Sequence, residues 1–209
     1  WNNMELNLSN IISKIKKYDA QLLPVVKNKN NQEIKFLYEF GLRDFGENKL
    51  KDFKIHSKEY QDVNYHFIAP VQTNKISKLT SSFSTVHTLS RKKEIEYFSK
   101  YDDQNLSYYI QLNIDKDPQK NGVFENQVNE FYEIGLENNL NIIGLMTIPS
   151  IKSDPKYIYK KMYEINERIS SRNKLYKKQL SMGMSNDYEI ALDFGATIVR
   201  IGTLLYKKC

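Results

Sequence analysis

Apolar and polar residues are distributed along this chain in blocks. Short segments of strand length, mostly apolar, recur as LLPVV (22–26), RDFGE (43–47), YHFIA (65–69), TVHTL (85–89), SYYIQLNI (107–114), NIIGLMTI (141–148), KQLSMG (178–183) and TIVRIGTLL (197–205). Between them lie longer stretches of helical character, such as NQEIKFLYEFG after the first and FENQVNEFYEIGLENN after the fifth. The pattern predicts eight strands, a helix after each of the first seven, and an initial helix from about Met4 to Tyr18. The strand segments show no clean period of two, as expected of strands covered on both faces. Alternating βα units predict a parallel sheet, and eight of them favour closure into a (β/α)8 TIM barrel. An open doubly wound sheet is the competing architecture, but no GxGxxG follows the first strand. No linker or low-complexity tract interrupts residues 1–209, so one domain is expected, with DKDPQKNGV (115–123) as a loop. Asp154-Pro155 predicts a helix start, Gly195 a helix exit, and Gly135 either an exit or a helix interior.

Composition narrows the function classes. The 209 residues are 40% hydrophobic and 27% charged, which is ordinary for a globular protein. The single cysteine, Cys209, rules out an intrachain disulfide and suits a reducing compartment. No apolar run approaches the roughly 20 residues that span a bilayer. The chain opens on Trp1 without a charged-then-apolar leader, so no signal peptide is expected and the cytoplasm is the default location. The net charge of +6 comes from lysines spread along the whole chain rather than from a patch, which disfavours a nucleic-acid surface. The three histidines have no metal-binding spacing, and no Gly-x-Ser-x-Gly elbow is present.

Sites in eight-fold barrels form at the C-terminal ends of the strands. The polar residues expected there are Lys27, Glu47 and Asn48, the Gln72-Thr73-Asn74 turn, Ser185, and Arg200 with Gly202 and Thr203. Such barrels hold phosphate on the loops after strands 7 and 8, here GMSND (183–187) and IGT (201–203). Ser185 in the role of N-cap would expose a helix N-terminus to an anion. The plainer reading of both segments is a cap and a strand end. A lysine opposite such a corner suits Schiff-base formation with a phosphorylated aldehyde. Its amine would have to fall from about 10.4, by burial and a nearby Arg200. Lys29 competes with Lys27, and a snorkelling strand-end lysine is the plain alternative. Arg200 lies inside an apolar run, so it needs a partner: an internal carboxylate such as Glu47, or a ring nitrogen of a bound cofactor. His66 either faces that cofactor or is a hydrogen-bonded core histidine.

LLPVVKNK, FGLRDFGEN, YHFIAPVQTNK, GLMTIPS and LSMGMSNDYEIALDFGATIVRIGT occur in the order of one family's signatures, from residue 22 to about 205. The chain thus resembles the pyridoxal phosphate homeostasis proteins, single barrels like the N-terminal domain of alanine racemase. The resemblance implies that Lys27 carries pyridoxal 5′-phosphate as a Schiff base. It implies that Ser185, Gly202 and Thr203 hold the phosphate and that Arg200 faces the pyridine nitrogen. Asn48 and His66 would lie near the ring, with Met146 beneath it. Three departures stand out: Val26 where a small residue is usual, Ala69-Pro70 for a glycine-first turn, and an end at YKKC soon after strand 8.

Arginine stays cationic and cannot take the ring-nitrogen proton, so the cofactor would be a weak electron sink. In the racemase resemblance, a second base comes from the partner subunit's further domain, for which this chain is too short. The expectation is a monomeric carrier of pyridoxal phosphate in its homeostasis, influencing amino-acid and keto-acid balance without robust turnover. An amino-acid racemase is the alternative. The expected partners are the cofactor and apoenzymes that need it, with no membrane.

Overall fold

Eight strands form where the apolar segments stand: β1 (Gln21–Pro24), β2 (Asp44–Glu47), β3 (Asn64–Phe67), β4 (Thr85–Leu89), β5 (Ser107–Leu112), β6 (Asn141–Thr147), β7 (Gln179–Ser181) and β8 (Ile198–Ile201). The computed structural model describes residues 2–103 and 105–207, so Trp1 and Cys209 lie outside the described residues. A first helix, α1 (Asn2–Lys16), precedes the strands. Each of the first seven strands is followed by a helix: α2 (Asn31–Glu39), α3 (Leu50–Glu59), α4 (Ile76–Thr80), α5 (Lys92–Tyr101), α6 (Val128–Glu137), α7 (Pro155–Arg172) and α8 (Tyr188–Asp193). The last apolar segment does not run through as one strand. It leaves the sheet at Gly202 and closes in a 3-10 turn, Thr203–Tyr206, which sinks Leu205 into the core.

All strand pairs are parallel, in the order β1-β8-β7-β6-β5-β4-β3-β2. The two ends of this sheet meet: Val25 bridges Gly46, and the Val26 N–H donates to the Gly46 carbonyl at 3.0 Å. The barrel is closed by that seam. Two apolar layers result. The outer one lies between strands and helices and includes Phe45, Val86, Tyr108 and Leu145 against Ile34, Leu37, Ile95 and Phe98. The inner one fills the barrel with Leu23, Tyr109, Met146 and Ile198. Each such side chain contributes about 1.5–3 kcal/mol when fully buried. Covering on both faces explains the absent period of two.

Local signals fix several helix ends. Asn30 and Glu33 form a capping box at α2, with bonds of 2.9 and 3.0 Å. Asp154 caps α7 by accepting from the Lys156 N–H at 3.0 Å, one residue before Pro155. Gly135 lies inside α6, where a side chain would run into Ile142.

Candidate functional site

The loops after β7, β8 and β1 are neighbours on one rim, because those strands are neighbours in the sheet. Lys27 stands on this rim, three residues beyond β1, in a turn completed by Asn28 at φ 56°. It is exposed, not buried as the sequence suggested, because β1 ends at Pro24 and the chain turns outward. Among the described residues nothing pairs with its amine. Lys29 is different. Its amine binds Glu33 at 3.2 Å and sits 3.9 Å from the centre of the Tyr206 ring. Val26 is fully buried in the outer core, so its departure from the family pattern does not enter the rim.

Gly202 sits against β1, where a Cβ would lie 3.5 Å from that of Val25. Thr203 follows, exposed, at the start of the 3-10 turn. Ser185 and Leu204 line one groove with α1, which brings the two loops together. The backbone N–H groups of Ser185, Asn186, Gly202 and Thr203 have no acceptor among the described residues, and neither hydroxyl has a partner. Ser185 does not cap α8, contrary to the expectation. That helix starts three residues later at Tyr188, with Asp187 at the cap position, and the Asp187 carboxylate instead accepts from the Met184 N–H at 2.8 Å. The loop can fold this tightly because Gly183 takes φ +99°; a Cβ there would lie 2.7 Å from Ala191. The corner is therefore built from unpaired loop amides and does not rely on a helix dipole.

Inside the barrel, Arg200 is 3% exposed. The expected carboxylate partner is not Glu47. The guanidinium instead donates to the Ser181 hydroxyl at 2.5 Å and to the Thr147 carbonyl at 3.1 Å. Burial lowers Arg200 to about 10, which leaves it cationic at neutral pH. Glu47 points outward to α3 and binds His56. Burial raises the Glu47 carboxyl above its usual range, the His56 bond opposing it. Burial also pulls His56 down, but the bond to Glu47 and the charges of Glu47 and Asp52 outweigh it, and the imidazole is raised overall. Asn48, at the end of β2, has a buried Oδ1 without a partner and lines a cavity with Gln72 and Lys75 at the mouth. Met146 is fully buried in the barrel interior.

His66 presents no free ring nitrogen to a ligand, so the expected direct contact gives way to the core alternative. Its Nδ1 meets His87 Nε2 at 2.9 Å and its Nε2 meets Asp44 at 2.8 Å. His87 in turn meets the Ser181 hydroxyl at 2.8 Å and stacks on Tyr109. Burial, with the charges of His66 and Arg200, holds His87 well below the usual imidazole value. Sequence reasoning passed over Ser181, His87 and Asp44. The available signal was a lone polar residue in the middle of an apolar strand, as in TVHTL and KQLSMG.

A family profile described as the alanine racemase N-terminal domain matches residues 1–208. A pyridoxal phosphate homeostasis protein of Aquifex aeolicus is 34% identical over 198 residues, covering 90% of this chain and 87% of its own. This chain belongs to the pyridoxal phosphate homeostasis family. A second homeostasis protein, from Helicobacter pylori strain 26695, is 33% identical and covers 90% of this chain and 88% of its own. Among solved structures, PipY of Synechococcus elongatus with PLP bound superimposes with a TM-score of 0.86 at 22% identity, covering 98% of this chain and all of PipY. An alanine racemase of Clostridium difficile gives 0.76 at 14% identity, covering 99% of this chain but 56% of the racemase. The homeostasis family and the racemase thus share this barrel, and only the racemase extends far beyond it.

Proposed function

We propose that this chain binds pyridoxal 5′-phosphate and serves its homeostasis, holding the cofactor covalently through Lys27 with little turnover. One observation carries the reading: an exposed, unpaired lysine shares a rim with four unpaired backbone amides, on three neighbouring strand ends. An amine and an anion cradle at that placing suit the two ends of a phosphorylated aldehyde. Ser185, Gly202 and Thr203 supply the cradle. The unpartnered Asn48 Oδ1 is an acceptor for a ring hydroxyl. Met146 forms part of the apolar floor.

Pyridoxal phosphate, when bound, supplies an aldehyde that condenses with amines and a ring that withdraws electrons from them. Arg200 remains charged at neutral pH and offers the ring nitrogen an N–H, never a proton acceptor. Facing Arg200, a ring nitrogen would stay unprotonated and withdraw electrons weakly, which favours carriage over turnover. Recipients would be apoenzymes that depend on the cofactor, and amino-acid and keto-acid balance would follow from its supply. No helix among the described residues is long and apolar enough to cross a membrane.

Borohydride reduction of the cofactor-loaded protein followed by peptide mapping tests the assignment. The adduct is expected on Lys27. An adduct on Lys29, or none, would overturn the site, and racemisation of alanine or serine at the efficiency of dedicated enzymes would overturn the carrier reading.

A further inference from the structure

Five polar side chains form an unbroken row through the barrel interior: Arg200, Ser181, His87, His66 and Asp44. They come from β8, β7, β4, β3 and β2. Four are at most 6% exposed. Asp44, at the first residue of β2, is the exception, with 28% of its side chain exposed. It therefore lies at the end of the barrel opposite the Lys27 rim, and it connects the row to solvent.

The carboxylate fixes the direction of every bond in the neutral row. Asp44 only accepts, so His66 donates from Nε2 and accepts at Nδ1. His87 must then donate from Nε2 and accept at Nδ1, so the Ser181 hydroxyl donates to it. Ser181 has its lone pairs left for Arg200. A proton taken from solvent at the Asp44 end gives His66 two N–H groups. The His66–His87 bond then reverses, His87 carries its proton on Nδ1, and Ser181 becomes an acceptor for both His87 and Arg200. One added proton thus changes the bonding of a hydroxyl in contact with the guanidinium. His87 is not the seat of the charge: it is fully buried and flanked by His66, Arg200 and the Tyr109 ring.

We propose that this row is a relay by which the protonation of the Asp44–His66 end adjusts Arg200, and through it the ring nitrogen of the bound cofactor. The inference rests on the cofactor reading above. Ser181, His87, His66 and Asp44 act as positioning residues, through their hydrogen-bonded link to Arg200. A row that merely satisfied buried polar groups would hold Arg200 in place and leave its hydrogen bonding independent of pH.

The test is the absorption of cofactor-loaded protein between about pH 5 and 9, in the wild type, Asp44→Asn and Ser181→Ala, with the reduced adduct mapped in each. A spectral transition is expected whose midpoint moves about one unit to lower pH in Asp44→Asn, where the charge favouring the added proton is gone. The same transition is expected to vanish in Ser181→Ala, with the adduct still on Lys27 in all three. An unmoved midpoint in Asp44→Asn with the adduct in place would overturn the relay and leave the cofactor site standing. Absence of the adduct in the wild type would instead overturn the site. Ring-nitrogen NMR of the cofactor-free protein then decides the relay by itself. His66 and His87 are expected to change their proton positions over one shared pH range, and independent titrations would overturn it.

Discussion

Glu47 is a fully buried carboxylate with a single partner. His56 binds one oxygen, while Oε2 and the nearby Asp52 Oδ2 have no partner among the described residues. Removing the imidazole leaves a buried charge uncompensated, so His56→Ala is expected to cost about 3–5 kcal/mol in urea unfolding, while replacing both residues by leucine costs far less. The pH dependence follows from the raised imidazole. A group raised in the folded state gives its full stability below its unfolded value of about 6.5 and loses it as pH rises through the folded value. The wild-type urea midpoint should therefore fall on the alkaline side of about pH 6.5, and this fall should be absent in the double leucine variant. At the same scale, Lys27 and Lys29 are indistinguishable in LLPVVKNK, since both follow an apolar run. Only the fold brings Glu33 and the Tyr206 ring to one of them and leaves the other free.

Among the elements, the loop between β5 and α6 is tied to the loop between β6 and α7 through two carboxylates: Asp117 accepts from the Ser150 hydroxyl at 2.7 Å, and Asp115 makes the larger set of bonds. Asp115 accepts from the Ser150 N–H at 2.8 Å, the Ser153 hydroxyl at 2.8 Å and Lys120 at 3.0 Å. Burial alone would raise its carboxyl, but these bonds outweigh burial and hold it well below the carboxylate range. Its side chain is 10% exposed, so Asp115→Ala is expected to cost about 1–3 kcal/mol in unfolding by urea. A depressed carboxyl stabilises above its unfolded value of about 3.9 and loses that contribution as pH falls. The cost of Asp115→Ala should therefore shrink below about pH 4. The element pattern itself was legible: the strands match the apolar segments to within a few residues, since strands covered on both faces must be apolar. The ends were less so. Ser185 has the identity of an N-cap, but the turn of Gly183 against Ala191 defers the helix to Tyr188.

For the whole molecule, closure is a weak point. β5 and β6 pair over six residue positions, whereas β1 and β2 are joined by one bridge and the Val26–Gly46 hydrogen bond. Local opening starts where few bonds hold. Native-state hydrogen exchange should therefore release the Val26 amide well before the core amides of β5 and β6; equal protection would show that the seam is as firm as the rest. The seam adjoins the turn that carries Lys27, so a barrel opening there would loosen the amine's position first.

The order of blocks in the sequence determined the architecture, because eight apolar strands alternating with helices have few other ways to cover both faces of every strand. It also determined which loops come together, since neighbouring strands in a closed parallel barrel place their C-terminal ends on one rim. Hydrogen-bond partners were left to the tertiary structure. Arg200 could have met Glu47 or a ligand, and His66 a ligand or the core. The choice depends on which way each side chain points from its strand, and that is set by register across β2, β3, β4, β7 and β8, residues far apart in the chain. Spacing within one segment carries no record of those distances, so the interior row of polar residues emerges only when the barrel closes around it.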